Sequence, residues 1–237
     1  MKLLFENWRE YLNENEDLET VSRESMRGLL DKYKTDDFKP EYFMSFRDRP
    51  TAEINVSTEY KTPVGFYVYP VTETILKQYE QGRIPFASDQ PYIVIVKKGD
   101  NVDYGYIKDG GPTMLSSAYF IRSPEIEILK KYTPPDKNFE DMYALAEKRR
   151  KRKHDFALLW HLTWQLAGED ATKWRDIFLD IGVVGAYDGN SGIIHRREKQ
   201  QGFFLTNDAY QIVEVFENEL KKRTFDQERW GKGKYDP

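Results

Sequence analysis

The feature that most limits how this chain can fold is a series of short β-rich segments in its first hundred residues. EYFMSF (41–46), VGFYVYP (64–70) and PYIVIVKK (91–98) are rich in aromatic and β-branched residues, and proline or glycine lies between them. VTETILKQYEQG (71–82), which separates two of them, has the pattern of a helix that ends at Gly82. The sequence therefore predicts an α+β fold, with a mostly antiparallel sheet core and helices packed around it.

The rest of the chain adds helices and two more short strands. Helices are predicted over residues 123–132, 138–167, 171–182 and 207–223. Strands are predicted around residues 192–195 and 202–205. Near the start, LLFENWREYL (3–12) spaces its apolar residues as a short amphipathic helix does. We expect an N-terminal helical leader at 1–18 and a single domain at 19–237, with its core at about 41–206 and a C-terminal helix at 207–223.

Composition excludes several classes of protein. The chain has no cysteine and only three histidines, so we expect no disulfide, no thiolate chemistry and no metal site. No apolar run approaches the roughly 18 residues that a membrane-spanning helix needs. A net charge of −4 argues against a protein that coats nucleic acid along its whole surface.

One charged segment stands apart from this acidic balance. EKRRKRKH (147–154) contains six consecutive cations, from Lys148 to Lys153, within the predicted long helix. Cations in such a run point to all sides of a helix, which fits a solvated helix end. The same run also fits a contact with a polyanion, either nucleic acid or a pyrophosphate.

Two segments in the first half of the domain carry candidate site residues. TPVGFYVYP (62–70) places Tyr67 and Tyr69 on one face of a strand, where they form an aromatic ladder or stack on a planar ligand ring. IPFASDQPY (84–92) places Asp89 in a tight turn before the strand YIVIV, where aspartate usually caps local backbone amides.

The late segment GAYDGNSGIIHRREKQQGFFL (185–205) has two interpretations. Its Asp-Gly and Ser-Gly pairs predict tight turns, so it could be a hairpin with polar turns. However, His195, Glu198 and Gln201 recur at three-residue spacing just before an apolar strand, where polar side chains can point into a cleft. Gly202 beside them permits close approach of a ligand or of neighbouring backbone.

Four segments resemble the ADP-ribosyltransferase fold, in particular its versions in phages and mobile elements, in their order along the chain and in their residue composition. They are EYFMSFRD, GFYVYP, FASDQPYIVIV and GIIH–E–Q–GFF. The Gly-Phe-Tyr segment is similar to the tyrosine-bearing strand of the poly-ADP-ribose-polymerase branch. Gln201-Gly-Phe-Phe-Leu is similar to the segment where that branch carries its catalytic glutamate. The resemblance covers about residues 41–206, and it implies a split β-sheet.

The resemblance implies NAD as substrate, cleaved at its nicotinamide–ribose bond so that ADP-ribose passes to a host protein or nucleic acid. It implies a clamp on the nicotinamide amide at Ser45 and Arg47, and stacking on Tyr67 or Tyr69. Glu198 would contact the ribose 2′-hydroxyl, with Gln201 orienting the ribose or the acceptor. The remaining NAD-binding candidates are His195, near the diphosphate, and Asp89.

A second resemblance concerns the first residues. MKLLFENWREYLNE is similar to the capsid-targeting leaders of internal head proteins in large tailed phages, including the Leu12-Asn13-Glu14 cleavage signal. It implies packaging in the virion and action in the host cytoplasm. Two alternatives to the enzyme stay open: a non-catalytic module of this fold that binds a nucleotide or partner, and an internal head protein that binds DNA.

Overall fold

The computed structural model of the chain describes residues 20–21, 27–28, 31–54, 63–84, 90–104, 112–116, 121–149, 155–189 and 201–218. Its strands are β1 (Thr20–Val21), β2 (Tyr42–Arg47), β3 (Phe66–Pro70), β4 (Tyr92–Lys98), β5 (Asp103–Tyr104), β6 (Thr113–Leu115), β7 (Val183–Tyr187), β8 (Gly202–Phe204) and β9 (Tyr210–Asn218). Its α-helices with both ends described are α1 (Glu73–Glu80), α2 (Ser123–Lys130), α3 (Phe139–Arg149), α4 (Asp155–Ala167) and α5 (Ala171–Asp180). Short 3-10 helices lie at Asp31–Tyr33 and Asn207–Ala209.

The nine described strands form one sheet in the order β1-β9-β4-β2-β3-β8-β7-β6-β5. The central pairings, from β9 across to β7, are antiparallel. The pairings of β1 with β9, β5 with β6 and β6 with β7 are parallel. The sheet is therefore mixed, and the predicted α+β class is confirmed.

Local capping explains two of the predicted helices. The Thr72 side chain accepts a hydrogen bond from the backbone N–H of Ile75, and α1 ends just before Gly82, which has a φ of +64°. Asp170 caps α5 in the same way, accepting from the N–H of Lys173. Both helices lie where the sequence predicts them, because each has a side chain that satisfies its first free N–H groups.

The prediction of one long helix over residues 138–167 is wrong. α3 and α4 pack side by side, and the Nε2 atom of Gln165 donates to the carbonyl oxygen of Met142 at 3.4 Å. In a continuous helix, 23 residues would separate these two positions by about 34 Å. The shared apolar faces of the two helices stabilise the hairpin instead. Residues 150–154, which connect them, lie outside the described residues.

The C-terminal helix predicted over residues 207–223 is also wrong. After the 3-10 turn Asn207–Ala209, the chain forms β9, which pairs with β4 along almost its whole length. The predicted leader (1–18) and the strand around 192–195 lie outside the described residues.

Buried side chains form three clusters around the sheet. On one face, a cluster built from α3, α4, α5 and β8 covers the β7–β8 side, and a second cluster, containing α1, covers β2 and β4. These two clusters meet at β3, where Tyr67 packs against the first and Tyr69 belongs to the second. Phe66 and Val68 point to the opposite face and belong to the third cluster.

Among the helices of the described residues, none combines the length and the apolar character required to cross a membrane.

Candidate functional site

Four segments that are far apart in the sequence meet in the centre of the sheet. β4, β2, β3 and β8, which contain described residues of the four segments that resemble the transferase fold, are consecutive neighbours. Met44 of β2 pairs with Tyr69 of β3, and Tyr67 of β3 pairs with Phe203 of β8. The pairing of β3 with β8 joins residues separated by more than 130 positions in the chain. The central strands therefore form one continuous platform for candidate site residues.

Gly202 lies where two backbones approach each other. A Cβ atom at this position would lie 3.1 Å from the carbonyl oxygen of Ala186 on β7 and 3.5 Å from the side chain of Val68 on β3. The close approach predicted at Gly202 is thus to neighbouring backbone, and it holds β8 between β3 and β7.

Tyr67 is half-buried, with its side chain on the helical face of the sheet. Its ring centroid lies 5.5 Å from that of Phe203, and its hydroxyl donates to the carbonyl oxygen of Pro63 at 2.7 Å. Tyr69 is only 8% exposed, and its ring packs against Phe46 and the α1 cluster. Of the two tyrosines, Tyr67 therefore has more surface for a ligand.

Gln201 directly precedes β8, on the same face as Tyr67 and Tyr69. Val68 pairs with Gly202, so the next position in this antiparallel register brings Gln201 beside Tyr69. The carbonyl oxygen of Gln201 accepts a 3.0 Å hydrogen bond from the N–H of Asp188, the residue that follows β7. Three strand ends thus converge on Gln201; we call this edge of the sheet the Gln201 edge.

Asp188 is a residue of this edge that the sequence interpretation did not single out. It is 1% exposed, an unusual burial for a carboxylate, and side-chain alternation along β7 places it on the face of Gln201. The available signal was the YDG sequence (187–189) directly after an apolar strand, which indicated a turn but not a buried acid.

Ser45 and Arg47 point to the opposite face of the sheet from Tyr67. The Ser45 hydroxyl is buried and donates to the backbone carbonyl of Tyr67 at 2.9 Å. The Arg47 guanidinium lies 5.4 Å from the ring centroid of Phe66, which belongs to the third cluster. Its Nη2 atom donates to the carbonyl oxygen of Glu53 at 3.0 Å, and burial lowers its pKa. The structure does not bring Arg47 and Tyr67 together on one surface.

Three of the candidate residues, Glu198, His195 and Asp89, lie outside the described residues. Glu198 and His195 belong to the connection between Asp188 and Gln201, and both ends of that connection are at the Gln201 edge. Asp89 precedes β4, whose first residue, Tyr92, pairs with Arg47. Tyr92 and Arg47 lie at the end of the central strands that is opposite the Gln201 edge.

The loop that precedes β2 is held by two tyrosines on the third-cluster face of the sheet, opposite Tyr67 and Gln201. Tyr187, the last residue of β7, donates its hydroxyl to the carbonyl oxygen of Asp37 at 2.8 Å, and the Tyr104 hydroxyl donates to that of Pro40. Burial raises the pKa of both phenols, so both remain protonated donors at neutral pH.

A cleft of about 620 Å³ lies elsewhere, along α3 and the end of α4. Its lining includes Met142, Arg149, Trp164 and Glu169, and none of its lining residues belongs to β2, β3 or β8. Lys148 and Arg149 of the cationic run are exposed at the end of α3, and the rest of the run lies outside the described residues. In the described part of the chain, no three His, Cys, Asp or Glu side chains form a group that could hold a metal ion.

No family model, curated protein or solved structure matches this chain.

Proposed function

We propose that this chain is an NAD-dependent ADP-ribosyltransferase whose catalytic centre is the Gln201 edge. The observation that carries the proposal is the adjacency of β4, β2, β3 and β8, because these neighbouring strands contain the described residues of the four segments that resemble the transferase fold. The antiparallel pairing of these strands supports a largely antiparallel transferase core, although the described strands form one continuous sheet and not the split sheet that the resemblance implies. It is also the arrangement that brings Tyr67 and Gln201 to one face.

The chemistry breaks the bond between ribose C1′ and the nicotinamide nitrogen, and the bonding electron pair leaves with nicotinamide. An acceptor nucleophile then attacks C1′ and loses its proton. Because the transition state resembles an oxocarbenium ion, a nearby carboxylate stabilises it. We assign that role to Glu198 and the stacking of nicotinamide to Tyr67. Gln201 orients the ribose by hydrogen bonding.

Ser45 and Arg47 take different roles in this proposal from the nicotinamide clamp that the resemblance implied. Ser45 holds the backbone of Tyr67 from the opposite face of the sheet, because its hydroxyl donates a 2.9 Å hydrogen bond to the Tyr67 carbonyl oxygen. Arg47 stabilises the third cluster against Phe66 on the other face. Both residues therefore support the strand that carries Tyr67.

Incubation with labelled NAD and host lysate tests the proposal, with nicotinamide release and label transfer measured separately. We expect Glu198→Gln and Tyr67→Ala each to lower the rate about 10²–10³-fold, as the loss of one transition-state contact does. Glu127→Gln and Tyr143→Ala are matched controls, because Glu127 is an exposed residue of α2 and Tyr143 is a half-buried residue of α3. Both controls should keep the wild-type rate. Wild-type protein that releases no nicotinamide and transfers no label would contradict the proposal.

The non-catalytic alternative predicts binding without turnover. Calorimetry with NAD and ADP-ribose separates it from the enzyme, since a binding module gives a heat of binding but no free nicotinamide.

Under the transferase proposal, the acceptor of ADP-ribose is a host protein or nucleic acid. The protein would act in the host cytoplasm after delivery from the virion.

A DNA-binding role is a second candidate, favoured by the exposure of Lys148 and Arg149 at the end of α3. Such binding would weaken steeply with salt, because each phosphate contact releases counterions. Replacing all six cations from Lys148 to Lys153 with glutamine should abolish it. Affinity for DNA that this change leaves intact would rule the candidate out.

A further inference from the structure

The cleft of about 620 Å³ along α3 and the end of α4 lies apart from the Gln201 edge. Its volume is within the range of known binding sites for small ligands, about 300–1,000 Å³. None of its lining residues belongs to the strands that carry the proposed catalytic residues. The cleft is therefore a second candidate binding site, and what binds there does not depend on the proposed function.

Trp164 provides an aromatic wall of the cleft. It is half-buried, and its ring centroid lies 4.7 Å from that of Trp174. Trp174 is 1% exposed, and its indole N–H donates to the Thr163 hydroxyl at 2.7 Å. The Trp164 ring is thus held from the core side, while the rest of its surface lines the cleft.

Gln165 presents a fixed hydrogen-bond acceptor beside this ring. Its Nε2 atom donates to the carbonyl oxygens of His161 at 3.1 Å and Met142 at 3.4 Å. These two bonds use both amide hydrogens, so the amide oxygen is directed away from the two carbonyl groups. Leu145, another lining residue, adds apolar surface and is 42% exposed. An apolar stem with a hydrogen-bond donor at its tip matches this wall.

Carboxylates outnumber cations at the Trp164 end of the cleft. Three exposed carboxylates belong to its lining: Asp136, Asp141 and Glu169. Within the described residues, none of the three forms an ion pair. Lys137 is the cation that lines this end, so the charge there is negative. Such a charge attracts a cation and repels a phosphate.

Arg149 lines the other end of the cleft. It is eight residues beyond Asp141 in α3, a rise of about 12 Å along the helix. This distance exceeds the length of one side chain, so the cleft can hold a side chain together with the backbone that carries it. The charge of Arg149 suits an acidic residue further along such a segment. A protein segment therefore fits the cleft better than a free amino acid does.

We propose that the cleft binds an arginine side chain of a partner protein. The guanidinium stacks on the Trp164 ring and donates to the Gln165 amide oxygen and to the Asp141 carboxylate. Arginine suits this wall better than lysine, because its planar group stacks on an aromatic ring and donates in several directions at once. The carboxylates disfavour a nucleotide, whose phosphates they would repel.

The test is a titration of the isotope-labelled full-length protein, followed by NMR, with three capped tripeptides. Alanine flanks a central arginine, lysine or citrulline, and citrulline keeps the shape of arginine without its charge. We expect the arginine peptide to shift the indole N–H resonance of Trp164, assigned with Trp164→Phe, in a saturable way. The resonance of Trp174, whose indole N–H is bound to Thr163, should stay in place. The lysine peptide should bind more weakly, and the citrulline peptide most weakly.

Variants of the cleft locate the binding, with the backbone amide of Gln165 as the reporter. Trp164→Leu should weaken binding of the arginine peptide about 2- to 30-fold, the range of one cation–π contact. Asp141→Asn should weaken it about 2- to 5-fold, and it tests the proposal even if Trp164→Leu does not fold. Glu140→Gln is the matched control, since Glu140 is an exposed acid of α3 outside the cleft lining. It should keep the wild-type affinity.

Three outcomes would overturn the proposal. One is an arginine peptide that does not shift the Trp164 resonance, and another is equal binding of the arginine and citrulline peptides. The third is equal weakening by Glu140→Gln and Asp141→Asn, which would show a general attraction to the charge of α3. Single-stranded DNA that shifts the Trp164 resonance when the arginine peptide does not would assign the cleft to nucleic acid. None of these results bears on the transferase, which nicotinamide release measures at the Gln201 edge.

Discussion

A Cβ atom added to Gly185 would lie 2.6 Å from the carbonyl oxygen of Phe203 on the neighbouring strand. Real Cβ atoms do not approach backbone oxygen this closely, and backbone cannot move aside as a flexible side chain can. We therefore expect Gly185→Ala to separate β7 from β8 and to lower the free energy of unfolding by about 1–3 kcal/mol. Urea unfolding followed by circular dichroism measures this change.

Gly28→Ala is the matched control for Gly185→Ala. Gly28 is helical and exposed, and nothing lies within 4 Å of the Cβ position. Alanine is the better helix former, so this change should leave stability unaltered or raise it by up to about 1 kcal/mol. Equal destabilisation by the two changes would show that contact with β8 is not the cause at Gly185.

Thr163 joins α4 to α5 in the core of the helical layer. Its hydroxyl accepts from the indole N–H of Trp174 at 2.7 Å and donates to the carbonyl oxygen of Leu159 at 2.7 Å. Thr163→Val keeps the shape but leaves the buried indole N–H without this acceptor, which costs about 1–3 kcal/mol. Thr163→Ser restores the hydroxyl and should recover most of that loss in thermal unfolding. A valine variant as stable as wild type would show that another group accepts the indole proton.

A β-bulge in β9 explains why the sequence of this segment predicted a helix. The register of β4 and β9 shifts between Ile95, which pairs with Glu214, and Val96, which pairs with Ile212. Val213 is the extra residue of this β-bulge, and it is 41% exposed. The bulge changes which residues face the core, so the apolar residues lose the period of two that marks a strand and imitate helical spacing. The density of β-branched residues was the signal that favoured a strand.

The candidate site was predictable only as separate pieces. The sequence identified the strands that carry Tyr67 and Gln201, because each is a short apolar run beside glycine. Sequence alternation places Tyr67 and Tyr69 on one face of β3, but it does not relate that face to the side chains of β2. The opposite orientation of Arg47 depends on the pairing register, which is set by strands distant in the chain. The burial of Asp188 depends on the same long-range contacts.

Arg47→Lys distinguishes a supporting residue from one that binds NAD. Lysine cannot reproduce both the stacking of the guanidinium on Phe66 and its hydrogen bond to the Glu53 carbonyl. We expect a loss of about 1–2 kcal/mol in stability, seen as a lower Tm, with unchanged NAD affinity in calorimetry below that Tm. Tyr67→Ala, on the opposite face, should instead lower the affinity. If Arg47→Lys weakened NAD binding tenfold or more, the result would favour the predicted role of Arg47 as a clamp on the nicotinamide amide.

Glu73, the first residue of α1, forms ion pairs with Arg27 and Lys34, which we call the N-terminal segment. These ion pairs make the attachment of that segment to α1 sensitive to acid. A hydrogen bond from Lys34, with the charge of Arg27, lowers the pKa of the Glu73 carboxyl from 4.5 to about 2. Because the folded protein binds this proton less readily than the unfolded chain, the contribution of Glu73 to stability is complete above about pH 4.5. It is lost as the pH falls towards about 2. We expect the amides of Arg27 and Lys34 to exchange faster, relative to their intrinsic rates, at pH 3 than at pH 6.

Hydrogen exchange in Glu73→Gln tests the assignment of this effect to Glu73. At pH 6 the variant should already show the weakened protection that wild type shows at pH 3, and its protection should change less with pH. Salt should also weaken protection in wild type, because the ion pairs are at the surface and are screened. Glu127→Gln is the control, since it removes an exposed ion pair with Lys130 in α2, away from the N-terminal segment. Wild-type protection in Glu73→Gln at pH 6 would mean that the backbone contacts of the segment hold it without the carboxylate.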